Sequence, residues 1–214
     1  MRPVFVESCG PEQHSPQTLL LVGRAKDGDR QAINDLLERY RDRLRRIARI
    51  RLSADLRRSV DTSDVLQDAL LVAFRNLDSF ELRSDASVIQ WLSKILENQI
   101  RDAAKYFHAQ KRDVSRSTSL EGAVAESSNV GDIFADGGAP NPSEVASNAE
   151  IREIYDACVE ELSPAHREVV LLRDYAGGSW DFVGQQMQRT SEAVQELYRR
   201  AQVKLCAQLA RRLG

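Results

Sequence analysis

Two groups of side chains in this 214-residue chain have the types and spacing needed to hold nucleic acid. In the first, Gln195 stands four residues before Arg199, with Arg200 beside it. On a helix that interval is one turn, so an amide and a guanidinium share a face. A Gln amide bonds adenine in two places, and an Arg reaches guanine or a phosphate. In the second, Asn98, Arg101 and Lys105 recur at intervals of three and four, with Trp91, Tyr106, Lys111 and Arg112 on the same segment. Cations for the backbone and amides or aromatics for splayed bases are what a single strand requires. Trp91 sits among Ile89, Leu92 and Ile95 and reads better as core than as a stacking platform. A third feature is cruder. Between Arg39 and Arg58 stand nine Arg and no Lys, against Asp42 and Asp55. Such a run is either a solvated helix face or a set of forked contacts to phosphate or carboxylate, the geometry for which Arg is preferred.

The elements that must carry these groups are helices. From about Ser15 to Asp113 apolar residues recur at three and four, as in Ala32, Ile33, Leu36, Leu37, Tyr40, Leu44, Ile47 and Ala48. Asp61 offers an N-cap and Asp64 a first-turn carboxylate before Val65, Leu66, Ala69, Leu70, Ala73, Phe74 and Leu77. A third long helix is predicted from about Ala86 to Lys111. Between Val114 and about Glu150 the pattern gives way to Gly, Ser, Asn, Ala and Pro with acidic residues, which reads as a flexible acidic linker. Helical periodicity returns from Ile151, with Ser163-Pro164 as cap and first helical residue and Gly177-Gly178 as a stop. No segment alternates as a strand does. The expected fold is all-α: a tail over 1–14, helical domains over 15–113 and 151–214, and a linker over 114–150.

The most specific structural pattern runs from Ser179 to Arg200 and reads as a helix-turn-helix. Gly184 supplies the tiny residue that two closely packed helices need, and Val194 the branched apolar residue packing back ten positions later. Thr190 or Ser191 caps the second helix, whose first turn would meet base edges in a major groove. Glu192 and Glu196 would repel phosphates unless they turn away or accept from cytosine. Gln188 stands where Gly often opens this kind of turn, so a turn of different build is expected.

Composition narrows the alternatives. The formal net charge is −2, so any nucleic-acid surface must be local. The longest apolar run, Ala69 to Phe74, is far short of the roughly 18 residues of a membrane span. Val4-Phe5-Val6 is too short for the core of a signal peptide, and an intracellular, cytoplasmic protein is expected. Cys9, Cys158 and Cys206, like His14, His108 and His166, are isolated, so neither a disulfide framework nor a metal site is expected. No phosphate-cradling Gly loop or nucleophile–base spacing suggests an enzyme, and no cofactor is expected.

Taken in order, the motifs resemble those of the extracytoplasmic-function (ECF) sigma factors. Gly28 to Tyr40 is similar to the opening of sigma domain two. Asp64-Val65-Leu66-Gln67-Asp68 resembles the family's signature for docking on the β′ clamp helices of core RNA polymerase, which implies that Asp64, Val65, Gln67 and Asp68 bind polymerase. Trp91 to Asn98 with Asp102 looks like the promoter-melting helix, implying minus-ten contacts from Asn98, Arg101, Lys105, Lys111 and Arg112. It also implies a flipped base held by the loop between Phe80 and Ser87. Leu162 to Leu205 resembles sigma domain four, which implies docking on the β flap and minus-thirty-five contacts from Arg189, Ser191, Glu192, Gln195, Arg199 and Arg200. The likeness covers about Leu19 to Leu209. Lys111 to Ser115 is reminiscent of ECF-like sigma factors abundant in Planctomycetes. Ser87, Ile89, Glu97 and Lys105 depart from the usual residues, which bears on the promoter sequence read and not on the general role. The resemblance implies polymerase and promoter DNA as partners, often with an anti-sigma factor, and an acidic linker threading the polymerase channel. Two other readings compete: a stand-alone helix-turn-helix regulator with a sensing or dimerising domain, and a helical adaptor that binds protein without DNA.

Overall fold

The computed structural model describes residues 16–81, 88–116 and 142–213, and every regular element among them is helical. The N-terminal body comprises α1 (Pro16–Lys26), α2 (Arg30–Arg51), the short α3 (Ala54–Arg57), α4 (Thr62–Asn76) and α5 (Val88–Arg116). The C-terminal body comprises α6 (Pro142–Glu160), α7 (Pro164–Val170), α8 (Trp180–Met187) and α9 (Ser191–Leu213). A π turn, Leu171–Tyr175, follows α7 directly.

Local chemistry sets the helix ends. Asp29 caps α2, accepting from the Gln31 and Ala32 amides at 3.0 and 3.2 Å. Asp61 caps α4 as expected, accepting from the Ser63 amide at 2.8 Å. Each cap satisfies donors that a helix start leaves open, worth about 1 kcal/mol. The three- and four-residue spacing then turns Leu36, Tyr40, Leu44 and Ile47 of α2 inward against Val65, Leu66 and Leu70 of α4 and Ile89, Leu92 and Leu96 of α5. Each fully buried Leu or Ile contributes about 1.5–3 kcal/mol.

Two boundaries differ from expectation. Helix α5 runs on to Arg116 and α6 begins at Pro142, so helix extends into both ends of the stretch read as linker. Pro142 opens α6 because its missing N–H would be unpaired there in any case. Residues 1–14 and 117–141 lie outside the described residues, and with them the tail and most of the linker.

The two bodies do not merely share a tether. Core residues of α6 to α9 (Val159, Leu171, Val183, Val194, Leu205) and those of α1 to α5 form one continuous cluster, with α2 packed on α6 and on the π turn.

Candidate functional site

On α4, Asp64, Gln67 and Asp68 are all exposed, whereas Val65 is 4% exposed and packs in the core. Val65 therefore anchors the helix while its three neighbours face out. The same face continues toward the C-terminus with Leu71 and Phe74, 45% and 48% exposed. Periodicity alone placed Phe74 in the core. The helix turns it outward instead, because Ala73 and Leu70 already fill the inner stripe. The result is a stripe at helical spacing, acidic where the helix begins and apolar where it ends. Sequence reasoning found the first half and missed the second.

On α5, Asn98, Arg101 and Lys105 are exposed on one face, as their spacing requires. They are not bare cations. Arg101 donates to Glu97 at 2.6 Å and Lys105 to Asp102 at 3.0 Å. Glu97 also receives Lys94 at 3.0 Å and lies 3.4 Å from Arg51 of α2. Partial burial raises the Glu97 carboxyl, but the Lys94 hydrogen bond and the charges of Arg51 and Arg101 outweigh it and hold it below its ordinary value. Lys111 and Arg112 belong to the last turns of α5, where only the backbone is described. Trp91 is half-buried, packed on the core and against the Phe80 ring at 4.7 Å between centroids. The core reading of Trp91 agrees with this placement. Most of the loop from Phe80 to Ser87 lies outside the described residues.

In the C-terminal body, Ser179 caps α8, accepting from the Phe182 amide at 3.2 Å. A turn of Gln188, Arg189 and Thr190 then leads into α9. Gln188 takes up the left-handed conformation itself, at φ 53° and ψ 46°. The turn is thus the one Gly usually makes, and the expectation of a different build is corrected. Its amide bonds back to the Gln185 and Gly184 carbonyls, which offsets the strain of a side chain in that region. Gly184 must be Gly for a reason slightly different from the one expected. A Cβ there would stand 2.8 Å from the Arg189 carbonyl oxygen, a turn atom, and 3.5 Å from the Ser191 nitrogen. Val194 is fully buried behind it.

Thr190 is the residue that caps α9, accepting from the Ala193 amide at 3.3 Å. Ser191 is half-buried and donates to Asp181 of α8, tying the two helices together. Arg189, Glu192, Gln195, Arg199 and Arg200 are exposed. Glu196 has turned toward the cations: Arg199 donates to both its oxygens, at 2.8 and 2.9 Å, and Arg200 to one at 2.7 Å. The Arg199 and Arg200 hydrogen bonds hold its carboxyl at about 2. Its charge is satisfied within the helix, which answers the repulsion its type suggested.

The arginine run has a fate its composition left open. Arg46 reaches Asp156 of α6 through two parallel bonds, Nε at 2.8 Å and Nη2 at 2.7 Å. Asp156 is 3% exposed and also accepts from the Tyr175 hydroxyl, while the Arg46 guanidinium lies 4.9 Å over the Tyr175 ring. Arg49 and Arg57 share Glu160 at 3.2 and 2.9 Å, and Arg51 takes Glu168 at 2.7 Å. The partners are carboxylates of the C-terminal body. A second, half-buried acid, Asp174 on the π turn, accepts from Tyr155, Tyr198 and Gln202 and pins α6 and α9 to that turn. Burial raises its carboxyl above the ordinary value despite those donors. Neither acid stood out in the sequence. The usable signal was the acid spacing Asp156, Glu160 in α6, complementary to the arginines of α2.

Among the described residues no group of His, Cys, Asp and Glu could hold a metal ion, and no helix is long and apolar enough to cross a membrane.

The chain has relatives among known proteins. Residues 36–111 match the model of the Sigma-70 region 2 family. The chain is 32% identical over 166 residues to the ECF RNA polymerase sigma-E factor of Escherichia coli strain K12, covering 76% of this chain and 78% of that one. It is 30% identical over 190 residues to the RNA polymerase sigma factor NccH of Alcaligenes xylosoxydans xylosoxydans, covering 88% and 92%. Among solved structures it resembles CnrH in complex with the cytosolic domain of CnrY, with a TM-score of 0.51 and 23% identity over 91% of this chain and 97% of that one.

Proposed function

The chain belongs to the ECF family of RNA polymerase sigma factors, and from that premise we propose how its surfaces divide the work of promoter recognition. Core polymerase docks on α4. The observation that carries this is the outward stripe of Asp64, Gln67, Asp68, Leu71 and Phe74. Carboxylates that meet basic side chains, followed by apolar side chains that lose water on contact, make a protein-binding surface. The clamp helices of β′ are its expected partner. Val65 acts from beneath by fixing the helix.

Asn98, Arg101 and Lys105, continued by Lys111 and Arg112, receive the unpaired strand of the minus-ten element. Arg101 and Lys105 exchange Glu97 and Asp102 for phosphate as they do so, which costs little at an exposed site. Gln195, Arg199 and Arg200 with Arg189 and Glu192 face the minus-thirty-five duplex. Ser191 sets the geometry of that helix through Asp181. A protein working this way binds and positions and has no catalytic role of its own; its place is the cytoplasm, with the polymerase. An anti-sigma factor is a further expected partner, and the segment between α5 and α6 is expected to act as linker between the two bodies.

Asp64→Arg with Asp68→Arg tests the reading. Both carboxylates are exposed, so the melting temperature should change by less than about 2 °C, while co-purification with core polymerase should be lost. A variant that keeps polymerase binding would place the docking surface elsewhere.

A further inference from the structure

The arginine face formed by α2 and α3 has the charge of a nucleic-acid site but is occupied by the protein's own carboxylates. Arg46 grips Asp156 with a two-pronged fork that fits two phosphate oxygens as well as two carboxylate oxygens. Arg49 and Arg57 converge on Glu160, each through a single bond to a different carboxylate oxygen. Asp156 and Glu160 stand one helical turn apart, about 6 Å along α6. They present a row of anions to a row of guanidiniums. We infer that this face, centred on Arg46, Arg49 and Arg57, is a second DNA-backbone site that α6 blocks while the two bodies are packed together.

The inference rests on the sigma-factor reading, because promoter DNA is what supplies the phosphates. Its logic is competition. With the bodies packed, each of these arginines has a carboxylate, so this face has little affinity for DNA. When polymerase or a promoter draws the C-terminal body away, Arg46, Arg49 and Arg57 lose their partners together. A row of guanidiniums then faces solvent beside the strand held by α5, and phosphates replace the carboxylates. Opening and DNA binding on this face are therefore coupled and each favours the other; salt screens the closing ion pairs and so eases opening, while it weakens the binding of DNA.

Breaking the same ion pairs from opposite sides separates this from simple opening. Asp156→Asn with Glu160→Gln frees the arginines; Arg49→Ala with Arg57→Ala frees the carboxylates. Both full-length variants should expand in small-angle scattering relative to the parent. On a fluorescent 20-base-pair duplex without promoter sequence, and without polymerase, only the acid-neutralised variant should bind tighter. The expected gain is about tenfold at low salt, with a salt slope steeper by about two phosphate equivalents. If both variants gain equally, the exposed helices of the C-terminal body account for the effect and the inference is wrong. It is equally wrong if neither gains, or if neither expands. If Arg49→Ala with Arg57→Ala instead weakens binding to core polymerase and leaves duplex affinity alone, the face docks on protein. Should Asp156→Asn lower the melting temperature, Glu160→Gln with Glu168→Gln makes the same comparison and leaves the buried carboxylate in place. Because the duplex assay contains no polymerase, a failure of the sigma-factor reading would show only in co-purification.

Discussion

Arg46, Arg49 and Arg57 of α2 and α3, and Arg101, Lys105, Arg199 and Arg200 of α5 and α9, are chemically alike and structurally opposite. The first three reach across to another body and end on carboxylates more than 100 residues away in sequence, one of them buried. Those of α5 and α9 fold back onto acids three or four positions away on their own helix and stay exposed. The first arrangement holds the fold together, because the partners cannot part without moving a domain. The second keeps a surface neutral until a better anion arrives. Residue type does not distinguish the two; the location of the acid does.

The widest gap between the two classes should appear in stability. Arg46→Ala leaves the Asp156 carboxylate buried with only the Tyr175 hydroxyl. Removing one partner of a fully buried pair costs about 3–5 kcal/mol. With Arg46 34% exposed, about 2–3 kcal/mol is expected. Arg101→Ala removes an exposed pair and should cost less than about 0.5 kcal/mol. Urea midpoints measured side by side decide the matter. Equal losses would mean that the contact between the bodies contributes nothing to the free protein's stability.

A smaller effect sharpens the other side of the comparison. Arg200→Ala should weaken duplex binding at the minus-thirty-five element and lower the salt slope by about one phosphate equivalent. Polymerase binding should be untouched, since α4 is remote in the chain and carries its own stripe. Glu196 keeps Arg199 as partner in that variant, so no new repulsion is introduced. An unchanged salt slope would take Arg200 off the DNA surface.

Legibility followed the range of the interactions. The helix of α2 and the cap at Asp61 rest on neighbours within four residues, and spacing and residue type exposed them; for α9 the sequence left Thr190 and Ser191 both open as caps. The family motifs were legible for the same reason, being short and ordered. Phe74 was misplaced because a helix stripe has edges, and spacing does not say which edge residue meets a partner helix. The pairing of Arg46 with Asp156 could not be read at all: it spans 110 positions and depends on how α6 docks on α2. The arginine run announced that anions were needed without saying whose.

The turn before α9 offers the smallest and most local test. Gln188 sits at φ 53°, where a Cβ crowds the backbone and costs about 1–2 kcal/mol. Gln188→Gly removes that crowding but gives the unfolded chain more freedom, a penalty of about 0.5–1 kcal/mol. The two effects leave a net gain of about 0.5–1 kcal/mol. The Gln188 amide bonds to backbone carbonyls of α8, and Gly retains that amide, so the entry angle of α9 should not change. Duplex affinity should accordingly stay within a factor of about two, while the urea midpoint rises. A loss of affinity with the gain in stability would show that the Gln188 side chain itself touches DNA. The turn would then belong with the reading cations of α9, and its strain would be the cost of placing an amide at the groove.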